Sequence, residues 1–216
     1  GRDLLADGQP RVTGVWMRRP DGRTYRARVE DPEVSLRRGD QGPVLRQSWP
    51  WGHLEVAYEL QGNNRLDLKL EVANESEDTL AALHLQLAEL TLPAGAQPRN
   101  VMFRTPWMRM KNAGPLAHNI GEPSIIATDV GETRMVLCNE GVRRPLALGF
   151  GPAQKNEDGQ VRPLLIYTGR HEILPNNFPF IDRPIYPGQT DQYHLSLRFG
   201  DAAEETGDIY DRWGEA

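Results

Sequence analysis

Two stretches of this 216-residue chain hold the side chains best suited to chemistry, and neither has the periodicity of a strand or a helix. The first, 104–121, carries Trp107, Arg109, Lys111, Asn112, His118 and Asn119; the second, 169–183, carries Arg170, His171, Asn176, Asn177, Asp182 and Arg183. An aromatic face stacks on the C–H face of a sugar ring, while Asn, Asp, Arg and His supply the donors and acceptors that hydroxyl groups demand. Long irregular segments in a compact domain are uncommon and tend to carry function. The two segments are therefore expected to meet at one end or on one face of the domain, with Trp107 as a stacking platform. Arg109, His118, Asn119, Arg170, His171 and Asn177 would hydrogen-bond the ligand. The competing expectation is plainer: the segments cover a core edge, and Trp107 is a plug.

Other chemistries lack their residues. His171-Glu172 opens like a zinc-protease helix, but Pro175 stands where the second histidine is needed. Gly149-Phe150-Gly151 is followed by Gln154 instead of the third glycine of a dinucleotide loop. There is no phosphate loop, no Gly-x-Ser-x-Gly elbow, and a single cysteine where zinc would need a pair. No catalytic residue, metal ligand or cofactor is assigned. Cys138 lies in the apolar run Met135-Val-Leu-Cys and reads as a buried, inert thiol; alone it forms no internal disulfide, so the compartment stays open.

The elements that must position these groups are strands. Leu66, Leu68, Leu70 and Val72 alternate with Asp67, Lys69 and Glu71, and Leu54, Val56, Tyr58 and Leu60 do the same upstream. Gln61-Gly-Asn-Asn between them is a turn by composition, so the pair reads as a hairpin. Similar runs cover 11–17, 23–30, 43–48, 79–92, 100–104, 123–129, 133–139, 145–150, 162–168 and 190–199, with Asp21-Gly22 and Asp158-Gly159 as further turns. About a dozen short strands with almost no helical period between them predict an all-β fold, a large antiparallel two-sheet β-sandwich. The alternation puts His53, His84 and His194 on the polar sides of their strands. They are expected either to face solvent or to line a groove on one sheet. Trp49-Pro50-Trp51 presents a second aromatic pair, at least one ring of which is expected to pack in the core. Ala202, Ile209, Tyr210 and Trp213 recur with helical spacing, so a short C-terminal helix is expected over 201–216, after a sandwich over 1–200. That helix reads as a linker toward a following domain, with Ile209, Tyr210 and Trp213 expected either to pack against the sandwich or to stay partly exposed as the stub of an interdomain contact.

Bulk properties narrow the partners. The net charge is −5, which argues against nucleic acid, whose phosphates require a basic face. No polybasic run and no apolar stretch near the length of a span points to a membrane. Only three of the 25 basic residues are lysine (Lys69, Lys111 and Lys155), and planar arginine suits polar recognition better than lysine does. The composition is that of a folded chain, 38% hydrophobic and 25% charged, long enough for a core without staples.

Leu66-Asp-Leu-Lys-Leu-Glu-Val-Ala-Asn-Glu-Ser-Glu-Asp-Thr-Leu resembles the strand, Asn-polar turn and next strand of β-sandwich modules beside bacterial glycoside hydrolase catalytic domains. Ile185-Tyr-Pro-Gly-Gln-Thr-Asp-Gln-Tyr-His-Leu-Ser-Leu-Arg-Phe-Gly resembles the Pro-Gly turn and last strand of such modules, and the expected sheet size is similar to the galactose-mutarotase-like supersandwich. The resemblance covers about a third of the chain and carries no catalytic residue over. It implies a non-catalytic carbohydrate-binding or accessory domain of a larger, bacterial, secreted or periplasmic glycoside-processing enzyme. Its partners would be an oligo- or polysaccharide and a neighbouring domain of the same polypeptide. Two alternatives stand beside it: a mutarotase-like or lyase-like enzyme using His and carboxylate groups on a concave sheet face, and a purely structural spacer.

Overall fold

The computed structural model describes residues 5–7, 9–92, 99–101, 117–119, 125–140, 147–150, 154–156, 159–169, 184–205 and 209. These form sixteen strands in two antiparallel sheets of eight, the sandwich that the period-two runs predict. In the first sheet the order is β10 (Ala117–Asn119), β13 (Ala147–Phe150), β15 (Gly159–Gly169), β8 (Thr79–Leu92), β2 (Arg11–Arg18) and β3 (Thr24–Ala27). β1 (Leu5–Asp7) also pairs with β8, and β14 (Gln154–Asn156) with β15. In the second sheet the order is β4 (Glu33–Arg38), β5 (Pro43–Trp49), β6 (Gly52–Gln61), β7 (Arg65–Asn74), β16 (Thr190–Asp201), β12 (Thr133–Asn139), β11 (Ile125–Val130) and β9 (Arg99–Val101).

Four strands lie outside the runs read from sequence. β1, β10 and β14 have three residues each, too short for alternation to register. β4 has charged residues on both parities and is exposed throughout, so no buried face marks it. β10 also corrects the expectation of an irregular 104–121, since 117–119 pair with β13.

The two inner faces interleave Val12, Val15, Leu83, Leu85, Leu87 and Leu148 of the first sheet with Leu54, Val56, Leu68, Leu70, Leu137, Leu195 and Leu197 of the second. Val12, Val15 and Met17 all reach the core although a regular strand would turn one of them outward. The β2–β8 register shifts between Val12 and Gly14 and again between Trp16 and Met17, which absorbs the odd residues. Trp49 and Trp51 both belong to this core, with rings stacked 5.2 Å apart and 8% and 6% exposed, so neither offers a ligand face.

The hairpin expected at 53–72 is β6–β7, closed by Gly62–Asn64. The helix expected over 201–216 does not start at its predicted end: Asp201 ends β16, and Ala202–Glu204 form a turn. The Glu204 carboxylate accepts from the Asp201 N–H at 2.7 Å, and Asp201 Oδ1 accepts from the Ala203 N–H at 2.8 Å, so the reciprocal side chains tighten a turn there. Ile209 is helical and its N–H bonds the Glu205 carbonyl. Tyr210 and Trp213 lie outside the described residues.

Ile209 is 1% exposed and packs with Ala127, Val136 and Cys138 on the outer face of the second sheet. Arg134, bonded to both oxygens of Asp129, also donates to the Glu204 carbonyl and holds the turn against β12. Ile209→Ala should therefore lower stability by about 2 kcal/mol, the low end for a buried aliphatic truncation because the tail can partly collapse. An unchanged urea midpoint would show the contact to be idle.

Candidate functional site

On β2, Gly14 and Trp16 face away from the core, opposite in parity to Val15 and Met17. The indole folds back over Gly14: a methyl group there would sit 2.6 Å from Trp16 Cη2, so only glycine leaves the ring its seat. His84, in register with Gly14 on β8, puts its ring 4.1 Å from the indole at 41°. Arg26, in register with Trp16 on β3, sets its guanidinium carbon 5.4 Å from the indole centroid. Arg26 Nη2 donates to the Thr13 carbonyl at 3.2 Å, which fixes it at the rim. Beside them Gln86 is anchored by its amide to Glu89 Oε1 at 2.9 Å. The result is a partly exposed indole with an imidazole packed on it and a guanidinium over its ring, and a carboxamide further along β8 on the same side.

Strand register extends this surface toward a residue singled out from sequence. Arg11 pairs with Gln86, Gln86 with Leu165, Leu165 with Gly149 and Gly149 with His118. That row crosses five strands, roughly 19 Å at the usual strand spacing. The next row runs from Gly14 through His84 and Tyr167 to Ala147. Asn119 falls instead in the row of Leu148, Ile166 and Leu85, whose described side chains Leu148 and Leu85 are core. Of the other residues expected at the site, Trp107, Arg109, Arg170, His171 and Asn177 lie outside the described residues. The segment containing Trp107 enters the sheet at Ala117, level with Leu164; the segment containing His171 leaves it at Gly169.

The outer face of the second sheet is built differently. Arg65 grips both oxygens of Asp67 at 2.7 and 3.1 Å, and His194 Nε2 lies 3.7 Å from the same carboxylate. In register beside Asp67, Ser196 donates to Glu140, and Arg198 donates to Glu140 and to the Ser196 oxygen. Asp67, Ser196 and Arg198 are all buried. Burial pushes the Glu140 pKa upward, but the Ser196 hydroxyl and the Arg198 charge outweigh it and hold the group below its ordinary value. Burial lifts the neighbouring Cys138 thiol to about 12, so it is inert at neutral pH. Along the same face Lys69 pairs with Glu59 and Arg37 with Glu55, each at 2.7 Å. A proton-transfer catalyst needs a group poised near working pH. Here Glu140 is held below its ordinary value, and Asp67 is gripped by Arg65, so the described part of this face is a bracing network.

The histidines correct the expectation of plain solvent-facing positions: His53 and His84 are each 8% exposed. His53 Nδ1 lies 2.7 Å from Glu75 Oε1 and 3.0 Å from Arg46 Nη2. The residue that sequence reasoning missed is Trp16. Its signal was an aromatic sharing the parity of Gly14 and Arg18 instead of the apolar parity of Val15 and Met17. Among the described residues no group of three or more His, Cys, Asp or Glu side chains is placed to hold a metal ion, and no helix is long and apolar enough to cross a membrane.

No family model matches the chain, and no curated protein matches it significantly. Solved structures do match, among them the Slr1438 protein from Synechocystis sp. PCC 6803, at 13% identity over 85% of this chain and 73% of that one, with a TM-score of 0.49.

Proposed function

We propose that this domain is a non-catalytic carbohydrate-binding sandwich that serves a glycoside-processing domain of the same polypeptide. The observation that carries the reading is the partly exposed Trp16 indole seated against Gly14 on the outer side of the first sheet, with His84 packed on it and Arg26 over its ring. The part of the indole left open offers a surface to the C–H face of a pyranose, and Arg26 and Gln86 supply donors and an acceptor for its hydroxyls. Trp107, with Arg109, His118, Arg170, His171 and Asn177, supplies a second platform in the same reading, which leaves out Asn119 because its register row is that of core residues. Two platforms fit an oligo- or polysaccharide better than a monosaccharide.

Single-platform binding is weak: at a Kd near 1 mM the free energy is about −4.1 kcal/mol. Titration against a panel of polysaccharides tests the proposal. Trp16→Ala should raise the Kd about tenfold or more, the worth of one stacked ring with its border. Gly14→Ala keeps the ring but lifts it from its seat, and should weaken binding in the same direction. Trp107→Ala, run in parallel, apportions affinity between the platforms. If no glycan binds, or if all three variants bind like wild type, the reading is lost.

A further inference from the structure

β4 ends the strand path of the second sheet, and among the described residues no strand pairs with its free side. All six of its residues are exposed. Its register with β5 runs without a bulge from Glu33 opposite Ser48 to Arg38 opposite Pro43. Val34 and Leu36 share the register face of Gln47 and Leu45, which are buried, yet they stay 51% and 71% exposed. Sheet edges are ordinarily shielded by charged side chains, by proline or by a bulge that twists them away. β4 carries charges at Glu33, Arg37 and Arg38, but it has no lysine, no internal proline and no bulge, and it keeps two large apolar side chains bare.

We propose that the chain forms a two-fold symmetric homodimer in which β4 pairs antiparallel with β4 of a second copy, centred on Ser35. An axis perpendicular to the sheet keeps each face in line with itself, so opposed residues must share parity. Centred on Ser35, Glu33 stands opposite Arg37 of the second copy, Val34 opposite its Leu36, and Ser35 opposite its Ser35. Opposite charges meet on one face and apolar groups meet on the other. Arg37 already pairs with Glu55 at 2.7 Å and would sit between two carboxylates. The neighbouring registers lose this match. Centred on Leu36, Val34 faces Arg38 and Ser35 faces Arg37; centred on Val34, Leu36 faces Pro32, which has no N–H for the ladder. The self-complementary charge and apolar pattern is what selects a second copy over an unrelated strand.

Three measurements on the whole chain test the pairing. Sedimentation should show a concentration-dependent dimer, and Leu36→Lys, at a position too exposed to hold the fold, should abolish it. Glu33→Arg and Arg37→Glu should each weaken the dimer on the order of tenfold, since two opposed pairs become repulsive. Mixing the two variants should restore association, because every opposed pair in the heterodimer is again of opposite sign. Ser35→Cys should link two copies rapidly on mild oxidation, because directly opposed strand residues lie within disulfide reach. The native Cys138 is buried and does not compete. Val34→Cys, displaced by two residues from its copy, should link poorly. A monomer at every concentration, a dimer indifferent to Leu36→Lys, or Val34→Cys linking as fast as Ser35→Cys each overturns the proposal.

Discussion

Arg198→Ala should lower stability by about 3 kcal/mol, as measured by urea denaturation at neutral pH. The guanidinium is 3% exposed and bonds both Glu140 and the Ser196 hydroxyl oxygen. Removing it leaves a largely enclosed carboxylate without its counter-charge, and the cost of breaking such a pair exceeds the worth of forming it. Replacing the pair together, as Arg198→Met with Glu140→Leu, should cost much less than the single change, because no orphan charge remains. The same group sets an acid limb. The folded Glu140 pKa is depressed, so its stabilisation is complete above the unfolded value near 4.3. It is lost as pH falls from there through the folded pKa. In Arg198→Ala that limb should flatten, because the main charge holding the pKa down is gone. A variant losing less than about 1 kcal/mol would place the network at the level of a solvent-screened surface pair.

Asn74→Ala should rank second, at about 2–3 kcal/mol. This 1%-exposed amide donates to the Asp78 and Ile185 carbonyls, each at 2.8 Å, and accepts from the Ser76 N–H and hydroxyl. Its own backbone carbonyl accepts from the Gly188 N–H, and its N–H donates to Gln189. Gly188 holds φ at +73°, the left-handed conformation that favours glycine, which aims its N–H at Asn74. One side chain thus closes the β7–β8 turn and clamps it to the Pro187-Gly188 turn before β16. Both carbonyls keep another donor, Ser76 Oγ and the Leu80 N–H, so the loss is that of several partial bonds and one buried N–H. Asn74→Asp is the sharper test. It keeps the shape but sets a carboxylate against two carbonyl oxygens, and its folded pKa must rise. Its penalty should therefore be largest at neutral pH and shrink as pH falls below the folded pKa. If Asn74→Asp matched wild type at neutral pH, the two donated bonds would not be contributing.

The two segments whose resemblance suggested a sandwich module meet at this junction, one contributing Asn74 and the other Ile185 and Gly188. Their turn chemistry was legible from composition. Their contact was not, because the bond from Asn74 to Ile185 spans 111 residues. The same division runs through the candidate site. Trp16 sits in a strand that alternation identified, but its partners come from β3 and β8, and only register brings Arg26 and His84 to it. The attention given to 104–121 and 169–183 came from composition, which marks polar recognition groups but says nothing of where strands will carry them. His118 accordingly shares a register row with Gln86 while its neighbour Asn119 shares one with core residues.

Features that depend on near neighbours along the chain follow from the order of residues alone. Alternation at period two set the strands and, within them, the inward faces of Leu54 to Tyr58, Leu66 to Val72 and Tyr193 to Phe199; Leu60, expected on the same face, stays 68% exposed near the end of β6. Gly, Asn and Asp set the hairpin turns. The tertiary structure decided what depends on sheet order and register. It placed two tryptophans in the core and one on a face, and buried Ser196 and Arg198 of β16 in a network around Glu140. It also left β4, six residues of mixed charge with no buried side, at an edge. The physical reason is that a strand's alternation fixes which side chains oppose each other across its own axis, whereas the neighbour that covers each side is chosen by pairings far apart in sequence.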